Sequence, residues 1–137
     1  MLITHKHKAP RIDSSAYVAP NATLCGDVIV PAGTRIMFGA CVIAEGQTLE
    51  LGENCIVMEN AVIRSTDEHP TIVGAHSLIG PHAHLVGCAL EECVFIATGV
   101  YGVERAAEGE TNMREITQRR SDALRSHIND VIVKEVQ

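Results

Sequence analysis

Aromatic residues are nearly absent from this chain of 137 residues: it has no Trp, two Phe and two Tyr, 3% in all. A compact core usually relies on aromatic rings as its large packing units. With 46% hydrophobic residues overall, the core must instead use small and branched aliphatics, which suits a narrow interior of stacked, similar layers. CxxC pairs are also missing. The five cysteines, Cys25, Cys41, Cys55, Cys88 and Cys93, are odd in number, which predicts free thiols in a reducing cytoplasm, with a metal role as the alternative. No stretch approaches the roughly 20 apolar residues that span a bilayer. The first residues, Met1 to Lys8, lack an apolar signal-peptide core. The net charge is −6, so no general attraction to nucleic acid or anionic membrane is expected. Phosphate-loop and nucleophile motifs are absent as well.

What is present is a repeat. An aliphatic residue recurs every six positions at Val18, Leu24, Val30, Ile36 and Val42. The register resumes at Leu51, Val57 and Ile63, and again at Val73, Ile79 and Leu85. It slips by one to Leu90 and continues at Ile96. Four residues after most of these stands a small or β-branched residue: Ala22, Val28, Thr34, Ala40, Cys55, Ala61, Ser77, Ala83, Val94 and Val100. Six residues make one short strand and one turn, and three such units make a triangular coil. The first aliphatic points inward, and the small residue fills the tight corner. Gly33, Gly39, Gly52, Asn54 and Gly74 suit corners that need positive φ. Each coil buries its apolar face only by stacking on the next. The pattern predicts an all-β parallel β-helix of about four coils, and an ordinary sandwich would not hold so constant a register. Periodicity alone leaves the handedness open.

Two interruptions stand out, Ile43 to Glu50 and Arg64 to Ile72. Insertions in a solenoid become outer loops and often carry function. After Val100 the repeat stops. Met113, Ile116, Arg120, Leu124, Ile128 and Val131/Ile132 recur at three and four, a helical spacing, with Thr111 or Asn112 as possible caps. The expected organisation is a β-helix over 1–103 and a C-terminal α-helix within 104–137 that packs on the tube or caps its last coil. An uncapped coil exposes strand edges.

The segments Glu-Asn-Cys-Ile-Val-Met-Glu-Asn-Ala-Val-Ile from Glu53 to Ile63 and Gly-Pro-His-Ala-His-Leu-Val-Gly-Cys from Gly80 to Cys88 resemble the γ-class carbonic anhydrase-like branch of the hexapeptide-repeat proteins. The stretch from Val42 is similar to the small hexapeptide subunits of dynactin. The resemblance covers about residues 9 to 101. It implies a left-handed β-helix and a homotrimer with sites between subunits. It also implies zinc held by three His, two from one subunit and one from its neighbour, with a bound water whose pKa the metal lowers toward about 7. On the matching segments those three positions fall on Arg64, Pro81 and Val86, none of which can replace a zinc imidazole. The resemblance therefore argues against carrying over carbon dioxide hydration, since one fold hosts many functions.

The chain keeps a local supply of imidazoles: His69, His76, His82 and His84. His82 and His84 share a face if their segment is extended, and His69 lies in the second interruption. His69, His82 and His84 are the candidates for a displaced metal site, with zinc as a possible ion, at a subunit interface; the alternative is ordinary surface histidines. An acyltransferase would need a His as general base, for which His69 or His84 qualifies, but few coils remain to build a pantetheine groove. The third class is a rigid trimeric module that binds a small molecule or a partner without catalysis, and the lost zinc ligands favour it. Arg64 offers a fixed cation for a carboxylate or phosphate, or a salt bridge to Asp67, Glu59 or Glu68. Glu45 and Glu59 are candidates for a polar interface cleft or for solvated surface. Cys88 is expected in the core.

Overall fold

The structure, a computed structural model, describes residues 1–103. Sixteen short strands form three parallel sheets, each a face of one tube. The first face stacks β1 (Leu2–Ile3), β4 (Thr23–Cys25), β7 (Cys41–Ala44), β10 (Val62–Ser65), β13 (His84–Val86) and β16 (Tyr101–Val103). The second stacks β2 (Arg11–Ile12), β5 (Val28–Val30), β8 (Leu49–Leu51), β11 (Thr71–Val73) and β14 (Ala89–Leu90). The third stacks β3 (Tyr17–Val18), β6 (Arg35–Ile36), β9 (Ile56–Val57), β12 (Leu78–Ile79) and β15 (Phe95–Ile96). The chain visits the faces in that order, so every pairing joins one turn to the next. About five turns result, one more than the repeat predicts. The extra turn is β1 to β3, whose Leu2 and Ile3 are exposed and so leave no inward periodicity to read.

The inward positions are those the six-residue spacing selects. Leu24, Val30, Ile36, Val42, Leu51, Val57, Ile63, Val73, Ile79, Leu85, Leu90 and Ile96 are all buried, and Val18 packs against them half-buried. The small residues Ala22, Thr34, Ala40, Cys55, Ala61, Ser77 and Ala83 are buried at the corners. Cys88 is in the core as expected, and all five cysteines are unbridged. Burial raises the Cys55 thiol pKa, which keeps it protonated and inert.

Two of the three corners never change length. Between the second and third faces lie residues 13–16, 31–34, 52–55, 74–77 and 91–94, and between the third and first lie 19–22, 37–40, 58–61, 80–83 and 97–100. Their tips stack in register. Asn54 N–H donates to Ala32 O, His76 N–H to Glu53 O and Cys93 N–H to Ala75 O. Likewise Asn60 N–H donates to Phe38 O, His82 N–H to Glu59 O and Gly99 N–H to Pro81 O. From the second turn on, each tip residue is left-handed: Gly33, Asn54, His76 and Cys93 in one column, Gly39, Asn60, His82 and Gly99 in the other. Gly, Asn and His tolerate that region better than branched residues do. Gly52 and Gly74 differ from the sequence expectation. They are not left-handed, and their need for glycine is proximity: a Cβ on Gly52 would lie 2.3 Å from the Ala75 nitrogen of the next turn.

All length variation falls on the corner between the first and second faces. It holds residues 4–10 in the first turn, then 26–27, 45–48, 66–70 and 87–88. Leu24 pairs with Val42, eighteen residues on, as three six-residue units require. Val42 pairs with Ile63 and Ile63 with Leu85, so the third and fourth turns carry extra residues there. The slip from Leu85 to Leu90 is a shortened version of the same corner, turned by left-handed Gly87. Both interruptions are narrower than the sequence implies, because Ala44, Leu49, Ser65 and Thr71 still point inward. Helix within 104–137 lies outside the described residues.

Candidate functional site

The outer side of the first face and its variable corner gather most of the chemistry. Alternation along β10 and β13 buries Ile63, Ser65 and Leu85 and leaves Val62, Arg64, His84 and Val86 outward and half-buried. Val62 pairs with His84 and Arg64 with Val86. Two of the positions where the resemblance expects zinc ligands, Arg64 and Val86, are thus side by side. Arg64 Nη2 is ion-paired with Glu45 Oε1. The partner is neither Asp67, Glu59 nor Glu68: Ala44 is in register with Ser65, which places Glu45 one turn below Arg64, while Asp67 turns away to Lys6. Arg64 Nε is buried with no hydrogen-bond partner among the described residues.

His84 stands at the start of β13, half-buried, its ring edge-on to Tyr101 with 4.9 Å between centroids. Its Nε2 is likewise buried and has no partner among the described residues. His82 is exposed on the corner, left-handed at φ 58°. The segment is therefore not extended through His82, and the alternation that would put it on one face with His84 is broken. His69 is half-buried in the opposite corner. Its N–H donates to Thr66 Oγ1 at 2.9 Å, its carbonyl accepts from Thr66 N–H at 2.9 Å, and its Nε2 is 3.9 Å from Glu68 Oε2. His69 and His82 thus sit at opposite edges of the first face. Among the described residues of one chain, no three His, Cys, Asp or Glu side chains come together to hold a metal. A set of His69, His82 and His84 would need a second subunit.

Around the variable corner the polar residues form a network that sequence reading missed. Asp27, 8% exposed, accepts from Thr48 Oγ1 at 2.7 Å, Arg11 Nη2 at 2.8 Å and Lys8 Nζ at 3.0 Å. The Thr48 hydrogen bond, followed by Lys8, lowers its pKa against the opposing effect of burial. Lys6 and His7, both left-handed, form a tight N-terminal hairpin closed by His5 and Lys8. Lys6 Nζ donates to Asp67 at 2.7 Å, which lowers the Asp67 pKa, and His5 Nε2 lies 3.1 Å from Glu45 O. An open cleft of about 370 Å³ is lined by Lys8, Ala9, Arg11 and Asp27. Only the two interruptions, through Thr48 and Asp67, hinted at this cluster; around Asp27 it joins three successive turns.

No protein-family model matches the chain. It is 35% identical over 98 residues to γ carbonic anhydrase 1, mitochondrial, of Arabidopsis thaliana, covering 67% of this chain and 36% of that protein. γ carbonic anhydrase 3 of the same plant is 33% identical over 97 residues, covering 66% of this chain and 38% of that protein. The chain is a γ-carbonic anhydrase-like hexapeptide-repeat protein. It spans little more than a third of the length of these relatives. A hexapeptide transferase family protein from Anaplasma phagocytophilum superposes with a TM-score of 0.66 at 20% identity, over 91% of this chain and 96% of that one. At that identity the likeness shows the fold alone. Among the described residues, no helix is long and apolar enough to cross a membrane.

Proposed function

We propose that this member of the γ-carbonic anhydrase-like group is a homotrimeric, left-handed β-helical module that binds a small molecule or a partner and does not hydrate carbon dioxide. The observation that carries the reading is the use of Arg64. At a position where the resemblance expects a zinc imidazole, this chain places a permanent cation, pairs it with Glu45, and sets apolar Val86 beside it. A guanidinium cannot coordinate zinc, and its charge opposes a second cation nearby. The third matching position, Pro81, has no ligating atom. Five unbridged cysteines suit a reducing compartment such as the cytoplasm.

The test is metal content together with mass. Protein purified without a His tag should contain well under one metal ion per three chains by elemental analysis and should scatter light as a trimer. A stoichiometric zinc content overturns the reading.

A displaced metal centre on His69, His82 and His84, shared between subunits and supporting hydration, is the second reading. The unpartnered Nε2 of His84 favours it over the acyltransferase reading, in which His69 or His84 would be the general base. The same elemental analysis separates it from the first, and acetyl transfer from acetyl-CoA to an acceptor panel tests the transferase.

A further inference from the structure

Among the described residues, two buried side-chain nitrogen or oxygen atoms lack a hydrogen-bond partner: Arg64 Nε and His84 Nε2. They belong to one place. Val62 pairs with His84 and Arg64 with Val86, so Arg64 and His84 are diagonal neighbours on adjacent strands, both outward. Strand spacing and rise put their Cβ atoms about 8 Å apart. Ile43, Val62 and Val86, all half-buried, lie alongside them in the ladder and keep water off. Leaving a polar atom buried and unpaired is costly, more so in a charged group. Two such atoms on one patch mark a place where an acceptor belongs.

We infer that Arg64 and His84 form a binding site for a small monocarboxylate, held by the Nε–H of Arg64 and the Nε2 of His84 against the ring of Tyr101. The inference rests on the reading of this chain as a binding module and names its ligand class. Both atoms can donate to oxygen, given the Nε2-protonated tautomer of His84. The chain's own atoms cover both nitrogens, so a carboxylate reaches them by displacing the partly exposed side chains of Arg64 and Tyr101 outward. Arginine's donors are set in a rigid fork, and such charge-assisted bonds are the strong ones. Glu45 already takes Nη2 and neutralises the guanidinium. A ligand with two or more negative charges, such as phosphate, therefore meets the Glu45 carboxylate without a spare cation, whereas a monoanion that needs only two hydrogen bonds does not suffer as much. The Tyr101 ring, 70% exposed and edge-on to His84, offers an apolar surface for the body of the ligand. An aromatic or aliphatic acid fits better than a bare ion.

The test is an NMR titration of the full chain, after exhaustive chelation, with benzoate and separately with inorganic phosphate. Benzoate should shift the Arg64 Nε–H and the His84 ring along a saturable curve, and phosphate should bind more weakly. Arg64→Lys keeps the charge opposite Glu45 but removes the Nε donor, and should weaken benzoate about tenfold or more. His84→Ala should do the same, and both variants should unfold within a few degrees of the parent. Absence of a saturable shift, a shift unchanged in Arg64→Lys, or tighter binding of phosphate overturns the site. Slow exchange of the Arg64 Nε–H in the free protein with no benzoate response would assign the acceptor to a second copy, and overturns it too. A trimer without a benzoate response defeats this inference alone. A monomer that still binds benzoate at Arg64 supports it and defeats the trimeric reading.

Discussion

The three corners of the coil are built under different rules. Two of them hold four residues in every turn and, from the second turn on, a left-handed tip. The third, between the first and second faces, ranges from two residues at 26–27 to seven at 4–10. Strands must restart in phase on each face, because a shift of one residue would turn every inward aliphatic outward. A corner can vary only if its extra residues bulge away and rejoin in register, as Glu45 to Thr48 and Thr66 to Pro70 do. The polar network of Asp27, Lys8, Arg11, Thr48 and Asp67 collects at the variable corner. Constant corners set the cross-section; the variable one is free to carry specificity.

Insertion breaks this comparison most severely. One Gly inserted between Met58 and Glu59 should abolish cooperative folding, whereas two Gly between Asp67 and Glu68 should cost no more than about 1 kcal/mol, since loop closure depends weakly on length. Thermal unfolding followed by circular dichroism checks both, and equal tolerance would refute the distinction. Truncation of a constant inward position comes next. Ile63→Ala should destabilise by about 2–5 kcal/mol, measured by urea denaturation, while Ile72→Ala on the exposed outer side of β11 should change stability by about 0.5 kcal/mol at most.

The tips sharpen the comparison at a smaller scale. His82→Val should cost about 1–2 kcal/mol, because a branched residue must adopt φ near 58°. His82→Gly should be close to neutral, which would show that the imidazole there serves the turn. A metal ligand would instead lose bound metal in both variants.

The smallest effect is pH dependence at the variable corner. The folded-state pKa of Asp27 lies below its ordinary value, so its stabilisation is complete above the unfolded pKa of about 3.9 and fades as pH falls through the folded value. Nothing is lost from this group on the alkaline side. Hydrogen exchange should show residues 5–8 opening first as pH drops below about 4, before the stacked strands. Asp27→Asn should show the same opening already at neutral pH.

Much of the fold is legible because the interior repeats. The inward aliphatics from Leu24 to Ile96 follow the six-residue spacing once it is restarted after each interruption and slipped at Leu90; Leu49, inside an interruption, does not. The first turn is hidden because its corner is seven residues long and Leu2 and Ile3 are exposed. The site is less legible, since its contacts cross turns. Arg64 and Glu45 are nineteen residues apart, and proximity in sequence pointed to Asp67 and Glu68 instead. His82 reads as a candidate ligand from its spacing to His84; stacking the turns also puts it in line with Asn60 one turn earlier, as it puts His76 in line with Asn54. Aligning the repeats on their tips gives that role from sequence.

The most direct test of the account is carbon dioxide hydration by the untagged protein before and after reconstitution with zinc, with zinc counted per chain. The account predicts no hydration above buffer and no stoichiometric zinc, because Arg64, Pro81 and Val86 supply no ligand. Hydration that rises with zinc toward one ion per chain would contradict it.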